Sequence, residues 1–293
     1  MSAMGYHDYY DYFKGKKITL MGLGLLGRGV GDAAFIASCG AQVLVTDKKS
    51  AKELAPSLHK LKKYSSIRFA LGGHDIKDFC NADMVIKAAG IPLNSPYIKE
   101  AVKNKIPVYM STALFVKLLP PDVTVVGITG TRGKTTTAFL IYEILKKQFP
   151  ISNPVPERVR YGTGFQFPKK KNPKVFLGGN IQGISTLALL PKVKSGDFVV
   201  LELDSWQLQG FADLKISPQI AVFSTFLSDH MNYYEGSMRR YFADKAGIFK
   251  YQKVTDESTK RRENYENLIV GEQVMPFVKK REPKHARRAI AAR

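Results

Sequence analysis

The chain has 293 residues, 44% of them hydrophobic, enough to build cores in two domains of ordinary size. Its two cysteines, Cys39 and Cys80, have no CxxC pairing, which excludes a zinc ribbon or redox motif, and no apolar run reaches the roughly 18 residues of a membrane span. The formal charge of +20 raises nucleic-acid binding, but the excess lies in short patches (Lys60, Lys62 and Lys63; residues 169–171, 260–262 and 279–293) without interleaved aromatic residues. The expectation is a solvated basic surface that attracts anionic nucleotides, with no nucleic-acid partner and a cytoplasmic location.

After a polar, tyrosine-rich start over residues 1–17, an apolar run at 18–21 predicts a strand, 30–38 a helix and 42–46 a second strand, together a βαβ unit. Gly22-Leu23-Gly24-Leu25-Leu26-Gly27 joins the first strand to the helix, and Asp47 stands twenty residues further on. Glycines at this spacing permit a tight turn and close backbone approach to phosphate, and an acid at the next strand end suits a ribose hydroxyl; alone the pattern reads as dinucleotide binding. A strand at 84–87 runs into Ala88-Ala89-Gly90, followed by a helix at 96–104 and a strand at 107–110. One open parallel sheet of Rossmann-like type accounts for all of these. Pro120 and Pro121 cannot continue a helix or sit in a central strand, which places a domain boundary near them, with domains expected at 1–115 and 116–293.

A second α/β domain opens with a strand at 123–128, a glycine-rich loop and a helix at 135–147. The loop reads Gly127-Ile128-Thr129-Gly130-Thr131-Arg132-Gly133-Lys134-Thr135-Thr136. At a strand-to-helix junction such glycines turn backbone N–H groups onto phosphate oxygens, the helix N-terminus adds its positive end, Lys134 reaches the terminal phosphates and the Thr135 hydroxyl suits Mg²⁺. The first glycine stands one residue earlier than in GxxxxGK[ST]. Residues 148–174, with prolines, glycines and a lysine run, read as a long loop or insertion. Strands recur at 198–203, 219–223 and 268–270, and the ending from 257 is highly charged, with a basic, alanine-containing tail. Three further residues attract notice. Glu202 closes a strand, His230 follows Asp229, and Lys245 sits on a helix; singly, each reads as an ordinary surface residue.

Together these motifs resemble the Mur ligases. The GxxGTxGKTT loop is similar to their ATP loop, Glu202-Leu203-Asp204-Ser205-Trp206-Gln207-Leu208 to the ELSSFQL segment of the D-glutamate-adding branch, Asp229-His230 to their DH motif, and Tyr241-Phe242-Ala243-Asp244-Lys245 to a helix carrying a carbamylated lysine. The glycine loop with Val45-Thr46-Asp47 resembles the branch's first domain, which holds UDP rather than NAD. The resemblance implies an N-terminal Rossmann-like domain and a P-loop central domain that is incomplete at its C-terminus, with ATP and Mg²⁺ as cofactors. Lys134, Glu202, His230 and Lys245 would be catalytic, and Gly130, Thr131, Arg132, Gly133, Lys134, Thr135 and Thr136 would hold ATP. Thr135, Glu202, His230 and carbamylated Lys245 would ligate metal. Gly24, Leu25, Leu26, Asp47 and Gly90 would line the UDP site, and Asn180 and Gln207 the sugar or its peptide stem.

The implied reaction adds D-glutamate to UDP-N-acetylmuramoyl-L-alanine through an acyl phosphate, in peptidoglycan precursor synthesis. The family's third domain is not in these residues, which leaves three readings open: a fragment, a truncated gene product, or a split enzyme whose third domain comes from a separate chain. Arg132 stands where the family has asparagine or histidine, Asp204 where it has serine, and Asn232-Tyr233 where it has Asp-Arg. Three alternatives stay open: an inactive or regulatory nucleotide-binding remnant, an NAD-binding domain fused to a P-loop domain, and a basic protein associated with nucleic acid.

Overall fold

A computed structural model describes residues 8–148, 172–252, 267–286 and 289–292. Most of the expected insertion at 148–174, and the basic patches at 169–171 and 260–262, lie outside the described residues. The chain divides into two compact units, one of residues 1–120 with 181–192, the other of residues 121–180 with 193–293.

In the first unit the elements run α1 (Asp8–Phe13), β1 (Lys17–Met21), α2 (Arg28–Ser38), β2 (Gln42–Asp47), α3 (Ala55–Leu61), β3 (Ile67–Leu71), α4 (Lys77–Cys80), β4 (Met84–Lys87), α5 (Pro96–Lys103), β5 (Val108–Tyr109) and α6 (Ser111–Leu118). The five strands are all parallel, in the order β3-β2-β1-β4-β5. β1 and β4 are apolar and buried almost throughout, as strands covered by helices on both faces must be. Strand order reverses between β1 and β4, so the loops leaving their carboxyl ends, with Gly22 to Gly27 on one and Ala88 to Gly90 on the other, flank a switch-point crevice. Gly22 has φ +90°, and a Cβ there would lie 2.9 Å from the Ala88 Cβ, so close approach of the two loops requires glycine.

α6 occupies the stretch expected to hold the domain boundary. Its Ala113, Leu114 and Phe115 are fully buried in the first unit, which therefore extends to Pro120 rather than to 115. A 3₁₀ turn at Leu187–Leu189 packs on α2 and α6, bringing a segment from far along the chain into this unit.

In the second unit the elements are β6 (Thr124–Thr129), α7 (Lys134–Gln148), β7 (Val175–Gly179), β8 (Phe198–Glu202), α8 (Ser205–Asp213), β9 (Ile220–Phe223), α9 (Met238–Ala246), β10 (Leu268–Gly271), α10 (Met275–Arg281), α11 (Pro283–Ala286) and β11 (Ala289–Ala292). The six parallel strands are ordered β11-β10-β9-β6-β8-β7. β6 is central and buried along its whole length, with Val126, Ile128, Val200, Val222 and Ala138 of α7 forming one core cluster. The ending expected as a basic tail instead continues the fold. Val274 and Val278 are fully buried, and β11 pairs in parallel with β10, so α10 and α11 lie on the crossover of another β-to-β connection.

Candidate active site

The phosphate loop leaves the carboxyl end of β6, between β8 and β9, where an open parallel sheet presents its ligand crevice. Gly130 has φ +156° and a Cβ on it would sit 2.1 Å from Ser224 Oγ; Gly133 has φ +79°. Residues after β9 brace the loop. Thr131 N donates to Thr225 O at 2.8 Å, Arg132 N to Thr225 Oγ1 at 2.8 Å, and Ser224 Oγ to Arg132 O at 2.8 Å. The Thr131 hydroxyl donates to Leu227 O at 3.1 Å and accepts from Leu227 N at 2.9 Å, so this side chain and its amide are committed within the protein. The Arg132, Thr135 and Thr136 side chains are exposed, and half-buried Lys134 turns its Nζ back onto Thr131 O at 3.2 Å.

Two oppositely charged groups are buried against this loop. Glu202 ends β8 opposite Ile128 of β6 and is 2% exposed. Its Oε1 accepts from Asn180 Nδ2 at 3.2 Å, and the Asn180 amide donates to Glu202 O at 2.7 Å. Glu202 Oε2 is buried with no hydrogen-bond partner among the described residues, an arrangement costly for a carboxylate unless a cation completes it. Lys245, on α9, is 1% exposed; its Nζ donates to Gly130 O at 2.8 Å and to Thr129 Oγ1 at 3.4 Å. Thr129 Oγ1 in turn donates to Leu203 O at 2.8 Å, linking the lysine to the segment after Glu202. Burial, and then the positive charge of Lys134, pull the Lys245 amine down to about 7, against the opposite pull of Asp204, Asp229 and Asp244.

His230 has φ +55°, and its ring lies tilted at 42° against Trp206 with centroids 4.9 Å apart and approaches Tyr241 at 6.5 Å. His230 Nε2 lies 3.7 Å from Asp229 Oδ2. Lys245 Nζ lies 4.9 Å from the centroid of the same Tyr241 ring, so Tyr241 stands beside both ligand candidates. Asp204 caps α8. Its Oδ1 accepts from Gln207 N at 2.7 Å while Gln207 Oε1 accepts from Asp204 N at 3.2 Å, which gives the acid at this position a structural reason and folds Gln207 back onto the helix start. Sequence reasoning missed Gln209, whose Nε2 donates to Asp244 Oδ2 at 2.7 Å and to Tyr233 Oη at 3.1 Å, tying α8 to the lysine-bearing α9. Its place one turn after the Asp204 cap was the available signal.

In the first unit Asp47 is 8% exposed and organises the glycine loop rather than facing outward. Its Oδ2 accepts from Leu23 N at 2.8 Å and Gly24 N at 3.1 Å, and its Oδ1 from Lys49 N at 2.9 Å. Leu25 and Leu26 are large apolar residues left 55% and 53% exposed at the tip of that loop, and Gly90 lies in the loop after β4.

For a divalent cation the fit rests on Glu202. Among the described residues no cluster of three His, Cys, Asp or Glu side chains could by itself hold a metal. A hard cation that keeps phosphate and water oxygens needs only one or two protein ligands, and the free Oε2 of Glu202 with the exposed Thr135 hydroxyl supplies that chemistry. No described helix is long and apolar enough to cross a membrane, and both Cys39 and Cys80 are free thiols.

Two parallel α/β units, one with a glycine-loop switch point and one with a P-loop-type junction flanked by a buried acid and a buried lysine, define a nucleotide-phosphate type of α/β protein. Residues 16–110 match the Mur ligase MurD-like N-terminal domain, and residues 128–267 the Mur ligase middle domain. The UDP-N-acetylmuramoylalanine--D-glutamate ligases of Borreliella burgdorferi and Roseiflexus sp. (strain RS-1) are each 35% identical over 83% of this chain, covering 47% and 46% of their own lengths. The chain thus spans about half the length of the curated relatives it matches. In fold it is similar to the UDP-N-acetylmuramate:L-alanyl-gamma-D-glutamyl-meso-diaminopimelate ligase of Neisseria meningitides, with a TM-score of 0.52 and 18% identity over 91% of this chain and 75% of that one. The chain belongs to the Mur ligase family.

Proposed function

We propose that the chain serves an ATP-dependent amide-bond ligase that adds D-glutamate to UDP-N-acetylmuramoyl-L-alanine in the cytoplasm, as a step of peptidoglycan precursor synthesis. The observation that carries the reading is the pair of buried charges at the phosphate loop: Glu202 with its unpartnered Oε2, and Lys245 on the Gly130 carbonyl. The relatives named above as D-glutamate ligases support the choice of substrates.

In this reaction class the substrate's terminal carboxylate oxygen attacks the γ-phosphorus of ATP and ADP leaves; the amine nitrogen of the amino acid then attacks the acyl carbon and inorganic phosphate leaves. Bound Mg²⁺ supplies neutralisation of the charge gathered on the transferred phosphoryl group. The loop amides from Gly133 to Thr136 would hold the phosphates, Lys134 would place its charge at their end, and Glu202 with Thr135 would hold the cation, while the Thr131 and Arg132 amides brace the loop on Thr225. Asn180 keeps the Glu202 carboxylate oriented through Oε1. Lys245, whose amine is pulled down to about 7, is chemically suited to add carbon dioxide: its neutral nitrogen forms a bond to the carbon and releases a proton to solvent, which would leave an anionic carbamate beside Tyr241. The first unit binds the uridine diphosphate end through the Gly24 to Leu26 backbone and Gly90.

Phosphate release from ATP that depends on both UDP-N-acetylmuramoyl-L-alanine and D-glutamate, measured on the full chain, tests the reading. Release indifferent to both substrates, or salt-sensitive DNA or RNA binding unaffected by ATP, overturns it.

A further inference from the structure

Residues 181–192 follow β7 in the second half of the chain, yet they fold with the first unit. They are fastened there by polar and apolar contacts. Gly183 N donates to Leu26 O at 2.9 Å. Ser185 Oγ donates to Asp32 Oδ1 of α2 at 2.6 Å and accepts from Ala188 N at 3.1 Å. A Cβ on Gly31 would stand 2.4 Å from Ser185 Cβ, so the helix carries glycine where the strap crosses it. Leu187 and Leu190 are buried and add apolar contact to the fastening.

Asp32 is 6% exposed. Burial pushes its carboxyl up to about 6, while hydrogen bonds with Ser185 and Ser111 and the charge of Arg28 pull it down. A carboxylate in so unfavourable a place, with its oxygens occupied by hydroxyls, fixes geometry. The glycine loop is thereby pinned on both sides of its tip, by Asp47 at Leu23 and Gly24 and by the Gly183 amide at Leu26.

We infer that residues 181–192 complete the ligand loop of the first unit, with Asp32 as a positioning residue: Asp32 fixes Ser185, the turn before Ser185 presents the Gly183 amide, and that amide holds the Gly24 to Leu26 backbone in one geometry for the diphosphate of a nucleotide substrate. The inference rests on the proposed function, in which this loop takes a uridine diphosphate.

The test is titration of the full chain with UDP, and separately with Mg²⁺ and a non-hydrolysable ATP analogue. Asp32→Ala and Ser185→Ala should weaken UDP binding by about tenfold or more and leave the ATP-analogue affinity in place, and Asp32→Asn, which keeps an acceptor for Ser185, should restore most of the loss. UDP affinity equal to wild type in the alanine variants overturns the inference. So does an equal fall in both affinities together with a lower melting temperature, the mark of a merely structural contact. A wild-type chain that binds the analogue but not UDP removes the nucleotide-loop reading and this inference with it. Should the variants not fold, hydrogen exchange on wild type decides: Gly183 and Ala188 amides as slow as those of α2 support the clamp, and exchange at open-loop rates overturns it.

Discussion

Lys245 Nζ donates to the Gly130 carbonyl at 2.8 Å, so a cation 115 residues along the chain from the phosphate loop is hydrogen-bonded to that loop's own backbone. With its amine pulled from 10.5 to about 7, the folded protein gives up a proton that the unfolded chain keeps between those values. The charged form is therefore disfavoured by folding, and this cost is relieved as pH rises from about 7 to 10.5. Lys245→Met should melt higher than wild type at pH 7, by a few kcal/mol at about 1.4 kcal/mol per unit, and should lose the rise above pH 7, while losing catalysis. Thermal melts across pH 6 to 10 check the first part, and intact-mass measurement in bicarbonate checks carbon dioxide addition to the wild-type amine.

Lys134→Ala removes the charge set at the end of the phosphate loop without altering its glycines. Phosphate release should fall by about 10²–10³-fold or more, as for loss of a preorganised charge in a catalytic site. Steady-state kinetics on folded protein decide it.

Glu202→Gln keeps an oxygen for Asn180 and removes the charge from the buried carboxylate. Affinity for an ATP analogue should lose its dependence on Mg²⁺ and the Mg²⁺-free affinity should stay near wild type. Titrations with and without the metal separate the two; a metal dependence identical to wild type rules out Glu202 as a ligand.

Asp32 gives an independent pH signature. Its carboxyl is raised from 3.8 to about 6, so the folded state holds an extra proton in that window and stability declines as pH rises through it, remaining lower above. Asp32→Asn should therefore be more stable than wild type at pH 8 by about 1–3 kcal/mol, and the two should converge below pH 4. Urea midpoints at the two pH values measure this.

Gly179→Ala is expected to be among the most damaging single-methyl changes. Gly179 has φ +90°, and a Cβ there would lie 2.0 Å from the Glu202 carbonyl oxygen. The backbone of β7 would have to move, at a cost of about 1–3 kcal/mol or more, and Asn180 would shift with it. Denaturant titration gives the first effect and weakened Mg²⁺-dependent nucleotide binding the second.

Much of the architecture was legible because period and punctuation agreed. Met84–Lys87 is the strand read from its apolar run, and 124–129 and 134–148 fall within a residue of the elements read around the phosphate loop. β3 went unread because Ile67-Arg68-Phe69-Ala70-Leu71 has only Ile67 buried and shows neither alternation nor a solid apolar run. β11 went unread because Ala-Ile-Ala-Ala favours helix by itself, and only pairing with β10 makes it a strand. At the candidate site, the motifs name Lys134, Glu202, His230 and Lys245 as candidates. The supports of the loop could not be named this way: Thr225, which braces the Arg132 amide, is 93 residues away from it.

The passage of the backbone between units at 120, 180 and 192 has a consequence for genetics. No single cut in the gene separates the two halves cleanly: a fragment stopping at Pro120 would lack Ser185 and Leu187, and the remainder would bear an orphaned hydrophobic hook. Recombination that swapped one half for a relative's would have to exchange twelve distant codons in the same event, which binds the two halves into one heritable block.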